Sequence, residues 1–156
     1  MRQARVVVLL VAGALLVAPS PSSAQVREEH PNLIGGEVGG RGVVLTANYE
    51  RFFTNNFGLG AGLMAIGASD GFVGVLPLYA SITLGDVHSL YLGAGTTYVF
   101  GDGSIDDDFE SELLATLSLG YQFQSYGGLF VRPLFTVFFN DDDFIVWPGI
   151  TIGGSF

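Results

Sequence analysis

From residue 33 onward the sequence alternates between two kinds of side chain, and the alternation is clearest over residues 109–123. One face of this segment is mainly apolar with aromatic residues at both ends, and it comprises Phe109, Ser111, Leu113, Ala115, Leu117, Leu119, Tyr121 and Phe123. The other face is largely polar or small and carries Glu110 and Glu112 at one end. Because successive side chains of a β-strand point to opposite sides of a sheet, the pattern indicates a long strand with two unlike faces.

Clusters of Gly, Asp, Asn and Ser interrupt the alternation at regular intervals, which is typical of an all-β meander. We predict eight strands, over residues 32–38, 42–53, 57–68, 72–84, 89–101, 109–123, 128–139 and 144–156. No long window shows the apolar period of about 3.6 residues that an amphipathic helix requires. The sequence therefore predicts one all-β domain over residues 33–156.

The two faces indicate a barrel whose apolar side chains point outward and whose small and polar side chains point inward. The predicted strands exceed the mode of about 5 to 6 residues found in globular proteins, whereas a tilted membrane strand needs about 9 to 11. Aromatic residues stand near strand ends, as in the interfacial girdles of transmembrane barrels, and the small, polar faces suit the narrow interior of eight strands. A transmembrane barrel accounts for both the 23 Gly, which fit its narrow interior, and the apolar share of 49%, which faces lipid. The predicted fold is an eight-stranded antiparallel up-and-down transmembrane β-barrel, with a soluble periplasmic lipocalin-like binder as an alternative.

The first 24 residues have the three parts of a cleaved secretory signal peptide. Two Arg residues begin the segment, residues 6–17 form a continuous apolar run, and residues 22–24 are Ser-Ser-Ala, a small-residue cleavage site. Because the apolar run is shorter than the roughly 20 residues that cross a bilayer as a helix, we expect export and cleavage rather than anchoring. Residues 25–32 are predicted to form a loose N-terminal periplasmic tail.

Charge and cysteine content exclude several functions. Without residues 1–24 the chain carries four Arg, no Lys and 15 acidic residues. This balance argues against nucleic acid as a partner, since phosphates require a basic surface. The absence of Cys excludes a disulfide scaffold, a thiol nucleophile and a Cys-type zinc site. No cofactor is predicted.

The last predicted strand ends in Phe156, with Ile152 and Ile150 on the same face. This ending resembles the assembly signal that the barrel-assembly machinery reads in Gram-negative outer-membrane proteins. The chain is similar to small outer-membrane barrels of the OmpA/OmpX-like eight-stranded type, and residues 35–53 and 147–156 resemble small barrel proteins common in Bacteroidetes-like bacteria. The resemblance implies an outer-membrane location, with lipid, lipopolysaccharide, periplasmic chaperones and the assembly machinery as partners, and a monomer is expected.

Charged residues inside predicted strands are the main candidates for an interior site. Arg132 interrupts an apolar stretch of the seventh strand, and an Arg facing lipid at the bilayer midplane would cost about 2–4 kcal/mol. We therefore expect Arg132 to point inward and to pair with Glu50, which lies at the same depth on the polar face of the second strand. Glu110 and Glu112 are expected to line the outer mouth. The arrangement predicts either a packed polar interior or a gate for small ions.

Two acidic triplets fall in predicted outward loops, and they consist of Asp106, Asp107 and Asp108, and of Asp141, Asp142 and Asp143. Carboxylates of this kind bind Ca²⁺ or Mg²⁺ in other settings, but the EF-hand spacing is absent. A solvated loop is the simpler interpretation. A metal site at either triplet is thus only a weak alternative.

Asp86, His88 and Ser89 occupy a predicted turn and have the residue types of a hydrolytic cluster. Asp and Ser also favour turns through their own backbone hydrogen bonds, and residues this close in sequence rarely form a triad. We therefore predict a non-catalytic protein with a structural or interaction role in the envelope. A narrow channel or passive transporter for small solutes is the alternative.

Overall fold

The computed structural model describes residues 25–68, 71–103, 111–140 and 143–156. Within them the chain forms a closed antiparallel barrel in which each strand pairs with its neighbours in sequence and the first pairs with the last. The elements are α1 (Gln25–Glu29), β1 (Asn32–Gly39), a 3₁₀ turn (Gly40–Gly42), β2 (Leu45–Phe52), β3 (Phe57–Ala68), β4 (Gly71–Gly85), β5 (His88–Gly103), β6 (Glu112–Gln124), β7 (Leu129–Phe139) and β8 (Phe144–Ser155). The predicted eight-stranded up-and-down barrel is confirmed.

The strands are strongly staggered. A path that steps from each residue to its pairing partner on the next strand, starting at Leu33, returns to β1 at the level of position 43, which is ten residues further along the chain. The path passes through Glu50, Gly60, Tyr79, Gly95, Thr116, Phe138 and Ile145. A stagger of this kind tilts the strands by about 35–45° to the barrel axis and leaves an interior just wide enough for side chains. The fold therefore has a filled interior rather than a wide pore.

The two faces divide as the alternation predicts. On β2, Thr46, Glu50 and Phe52 are buried in the interior, whereas Leu45 and Tyr49 on the outer face are exposed. Large apolar side chains are exposed on the outer face of every strand, and this arrangement is the inverse of a soluble barrel. The apolar surface of the molecule is therefore directed outward.

The barrel has two unlike ends. At the terminal end, Asn32 and Phe156 close the β1–β8 seam through two backbone hydrogen bonds of 2.9 Å each. The opposite, distal end holds the 3₁₀ turn, the ends of β3, β5 and β7 and the starts of β4, β6 and β8. No helix in the described residues is long and apolar enough to cross a membrane. The predicted signal peptide, residues 1–24, lies outside the described residues.

The predicted start of the second strand differs from the structure for a local reason. The second strand was predicted to begin at residue 42 but begins at Leu45, because residues 40–42 form the 3₁₀ turn. Gly39 and Gly40 have φ values of 70° and 59° there, a left-handed conformation that glycine adopts without a Cβ penalty. In the described part of the chain β6 begins at Glu112, and its predicted start at residue 109 lies outside that part.

Candidate functional site

Glu50 on β2 and Arg132 on β7 meet across the barrel interior. Nη1 of Arg132 lies 2.7 Å from Oε2 of Glu50, and the two side chains are 1% and 2% exposed. Gln122 on β6 accepts two further hydrogen bonds from Arg132, at 2.9 and 2.5 Å, and Ser81 donates to the other carboxylate oxygen of Glu50. The buried pair thus has the additional hydrogen bonds that a desolvated ion pair requires.

A second ion pair, Glu37 with Arg41, lies on the distal side of the first. The 3₁₀ turn bends the chain back over the interior, so that the Arg41 side chain enters the barrel and is buried. Its backbone N–H donates to Oε1 of Glu37 at 2.7 Å, and Thr151 on β8 donates to Oε2 of Glu37 at 2.8 Å. The 3₁₀ turn therefore contributes a buried cation to the interior.

Two tyrosines interlock the ion pairs. Tyr91 stacks beneath Arg132, with 3.9 Å between the guanidinium carbon and the ring centre, and its hydroxyl accepts a 2.8 Å hydrogen bond from Arg41. Tyr79 stacks on Arg41 at 3.7 Å, and its hydroxyl makes a long 3.5 Å contact with Glu50. Desolvated cation–π contacts of this kind stabilise by about 2 kcal/mol. We call these six residues, Glu37, Arg41, Glu50, Tyr79, Tyr91 and Arg132, the charged core.

Glycines on β3 make room for the charged core. Gly58, Gly60 and Gly62 face the interior, and a Cβ at Gly60 would overlap the Tyr79 ring. Glu50 and Tyr79 enter the interior from the two strands that flank β3, so the β3 wall between them has to be thin. The glycine-rich sequence of β3 is therefore a packing requirement of the interior.

The terminal end is closed by α1. Arg27 is buried and donates to backbone carbonyls of two turns: Nε lies 2.6 Å from the Asn55 oxygen, Nη1 lies 3.2 Å from the Asp86 oxygen, and Nη2 donates to Gly85. Burial lowers the pKa of Arg27 to about 10, which leaves the side chain cationic at neutral pH. The expectation of a loose tail was wrong, because a buried Arg and a buried Val26 hold the segment against the barrel.

The other predicted residues lie away from the charged core. Glu112 begins β6 at the distal end, where it is exposed and pairs in register with Val99. Ile150, Ile152 and Phe156 lie on the exposed outer face at and beyond β8. Glu110 and five of the six Asp residues of the triplets, Asp106, Asp107, Asp108, Asp141 and Asp142, fall outside the described residues. The carboxylate of Asp143 accepts a hydrogen bond from the Phe144 backbone at 3.1 Å.

Asp86, His88 and Ser89 do not form a triad in the structure. The His88 ring lies on the outer face against Tyr121 and Phe123, whereas Ser89 is buried in the interior. The Ser89 hydroxyl donates to the backbone oxygen of Asp86 at 2.8 Å. The three residues thus serve a turn and its surroundings, which is the simpler of the two interpretations.

Four residues of the charged core were not identified from the sequence, and neither was Arg27. Glu37 and Arg41 are four residues apart, but they belong to different elements, and only the 3₁₀ turn brings them together. Tyr79 and Tyr91 lie on the inner faces of β4 and β5. Their two-residue spacing from the polar residues Ser81 and Ser89 is the sequence signal that could have placed them there. Their partnership with the arginines depends on the barrel stagger.

The fold is similar to those of solved outer-membrane barrels. The N-terminal β-barrel domain of Pseudomonas aeruginosa OprF matches with a TM-score of 0.63 at 14% identity, over 80% of this chain and 95% of that one. The Yersinia pestis outer membrane protein Ail, solved in a phospholipid bilayer nanodisc, matches with a TM-score of 0.52 at 15% identity, over 81% and 99%. No family model and no curated protein sequence matches the chain. The chain thus has the fold of the small eight-stranded outer-membrane barrels.

Proposed function

We propose that the protein is an integral outer-membrane barrel with a structural or interaction role, and that its barrel does not conduct. The observation that carries this proposal is the charged core. Its two ion pairs are 2% exposed or less, and they are fastened across the interior by side chains from β1, β2, β4, β5, β6, β7 and β8. An interior filled in this way leaves no continuous water path for solutes.

The outward apolar face supports insertion in a lipid bilayer. Exposed aromatic residues occur near both ends of the barrel, with Phe53 and Phe156 at the terminal end and Phe72 and Phe144 at the distal end. Such girdles sit at the two membrane interfaces, with apolar side chains between them in hydrocarbon. Lipid and lipopolysaccharide are the surroundings that this surface fits, and a soluble barrel would place charge there instead.

Biogenesis belongs to the same proposal. Export by the Sec signal peptide would deliver the chain to periplasmic chaperones and then to the barrel-assembly machinery. Phe156 would be read by that machinery before β8 pairs with β1, since its exposed ring lies at the end of the last strand. Phe156→Ala, which removes the ring but keeps the two backbone hydrogen bonds to Asn32, should slow assembly in cells while leaving spontaneous refolding into detergent intact.

A gel assay followed by bilayer recording tests the proposal. Refolded protein should be resistant to dodecyl sulfate and migrate faster before boiling than after it, and it should partition with vesicles. In planar bilayers the wild type should be silent. Partition into the aqueous phase would overturn membrane insertion, and steady wild-type conductance that Arg132→Ala alters would favour the gated channel.

A further inference from the structure

The barrel wall is lowest above the β1–β2 turn. The most distal register pair of β1 with β8 is Gly39 with Gly149, and that of β2 with β3 is Ala47 with Leu63. Within the described residues, positions 144–148 of β8 and 64–68 of β3 extend beyond those pairs without joining β1 or β2. Each free stretch is about 16 Å long at about 3.3 Å per residue. Two free strand edges thus flank a gap in the wall.

The free stretch of β8 is apolar on both faces. Phe144 and Val146 lie on the outer face and are 63% and 51% exposed, while Ile145 and Trp147 share the inner register and are 61% and 41% exposed. A strand that is apolar on both sides is ordinarily covered on both sides. If lipid covers the outer face, the inner face requires an apolar occupant as well.

The interior beside the gap is also apolar. The register pairs Ile66 with Val73, Val75 with Val99 and Phe138 with Ile145 place six apolar side chains on the inner face, and we call them the distal cup. Val75 and Phe138 are buried deep in the cup, whereas Ile66 is 55% exposed. The upper part of the cup is thus an apolar surface on the inner side that no described residue covers.

The floor and the rim of the cup restrict what can occupy it. Arg41 lies at the floor, where its backbone oxygen accepts a 3.1 Å hydrogen bond from Thr97, and its guanidinium is already committed to Glu37 and Tyr91. The floor therefore offers no free counter-charge to a headgroup. Glu112 stands exposed beside Val99 at the rim, and its carboxylate disfavours entry of an anionic amphiphile from water.

We propose that the distal cup holds an acyl chain of a membrane lipid, which enters sideways through the gap above the β1–β2 turn. The inference rests on the proposed function, because it requires the barrel to lie in a bilayer. The chain's methylene groups cover Ile66 and Ile145, while the headgroup stays outside the wall. Trp147 stands at the edge of the gap, where its indole N–H donates a 2.8 Å hydrogen bond to the Val43 carbonyl.

Site-directed spin labelling tests the proposal, because the chain has no Cys and a single introduced Cys is a unique site. Ile66→Cys and Ile145→Cys report on the cup from two strands, so that failure of one variant to fold leaves the other. Leu63→Cys, on the outer face of β3, reports membrane insertion, and Glu112→Cys reports the aqueous rim. Each labelled barrel is refolded into phosphatidylcholine vesicles and probed with oxygen, which partitions into lipid, and with a water-soluble nickel chelate.

If an acyl chain fills the cup, both cup labels should have an oxygen-to-nickel accessibility ratio close to that at residue 63. The ratio should be about tenfold above that at residue 112, since hydrocarbon excludes water and its solutes. Cup labels open to nickel, with residue 63 in lipid, would overturn the inference and leave the proposed function standing. Cup labels shielded from both reagents would show that protein fills the cup, which also overturns it.

Two further outcomes complete the test. A residue 63 label open to nickel would show that the barrel is not in the membrane, and the proposed function and this inference would both fail. In the unmodified protein, Trp147 is the single Trp, so its fluorescence should be quenched in vesicles of lipid brominated along the chain. Absence of quenching would overturn the inference independently of any Cys variant.

Discussion

The guanidinium carbon of Arg132 lies 3.9 Å from the centre of the Tyr91 ring. The hydroxyl of the same ring accepts a 2.8 Å hydrogen bond from Arg41, so one buried tyrosine serves both ion pairs of the interior. Neither arginine can move without disturbing the contact of the other. The interior therefore behaves as one packed unit rather than as two separate bridges.

Substitutions at Tyr91 separate its two contacts. Tyr91→Phe keeps the ring and removes the hydroxyl, which leaves one Arg41 N–H unpaired and should cost about 1–3 kcal/mol. Tyr91→Leu also removes the cation–π contact with Arg132 and should cost about 2 kcal/mol more. Urea unfolding in detergent, followed by Trp147 fluorescence, measures both values. Equal midpoints for the two variants would contradict the role of the ring.

Removal of Arg132 should be strongly destabilising. Arg132→Ala leaves Glu50 buried without its cation, and breaking a buried pair in this way costs about 3–5 kcal/mol. Arg51→Ala is the matched control, since Arg51 is exposed on the outer face of β2 and bonds Asn32 at 3.0 Å, and its loss should cost at most about 1 kcal/mol. The same unfolding assay compares them, and a similar loss in both would argue against the charged core as a stabilising element.

The β1–β8 seam should be sensitive to a single methyl group. A Cβ at Gly153 would overlap the backbone oxygen of Ile34, and neither backbone can yield without opening the seam. Gly153→Ala should cost about 1–3 kcal/mol through overpacking. Gly36→Ala, on the same seam, adds a Cβ with no atom within 4 Å and should be tolerated. Gel mobility before boiling reports closure, and equal behaviour of the two variants would refute the prediction.

Arg27 should attach α1 to the barrel without contributing to the pairing of the strands. Arg27→Ala removes the donor to the Asn55, Gly85 and Asp86 carbonyls, so α1 should detach while the strands remain paired. Hydrogen exchange of the His30 amide, which bonds the Val26 oxygen at 3.0 Å, should accelerate by at least about tenfold, the factor that corresponds to about 1.4 kcal/mol. Glu29→Ala, on the exposed face of α1, is the control and should leave exchange unchanged.

The turn between β6 and β7 should respond to high pH. The Tyr126 hydroxyl donates a 3.0 Å hydrogen bond to Asp86, and this bond raises the pKa of Tyr126 above its ordinary value of about 10. The folded pKa exceeds the unfolded one, so the bond stabilises the fold below the ordinary tyrosine pKa and is lost as pH rises through the raised value. In Asp86→Asn the pKa of Tyr126 should fall toward its ordinary value. Carbon NMR of labelled tyrosine measures it, and an unchanged pKa would contradict the assignment.

Residues in regular strands were the most predictable part of the molecule. Strand alternation places Glu50 and Arg132 on inner faces, and their equal depth indicates that they meet. The period of two is a local property, so it is visible in a single sequence. β3 was predicted with its observed bounds because an unbroken run of apolar residues and glycine, 57–68, lies between the polar residues 54–56 and 69–70.

Residues that leave the strand pattern were not predictable in the same way. Arg41 follows two glycines, and its inward direction depends on a backbone reversal that glycine permits but does not specify. Arg27 lies in a five-residue helix whose position is set by backbone carbonyls 28 to 59 residues away in sequence. Such contacts have no signature in local periodicity, since the closed barrel creates them.

The docking of α1 also implies an order of events. Arg27 is held by carbonyls from the turn after β2 and the turn after β4, and the side chain of Gln124 at the end of β6 bonds the His30 oxygen. These carbonyl acceptors and the Gln124 amide donor come together only once the intervening strands have closed into a barrel. The most N-terminal part of the described chain therefore docks last, and its attachment reports that the barrel has closed.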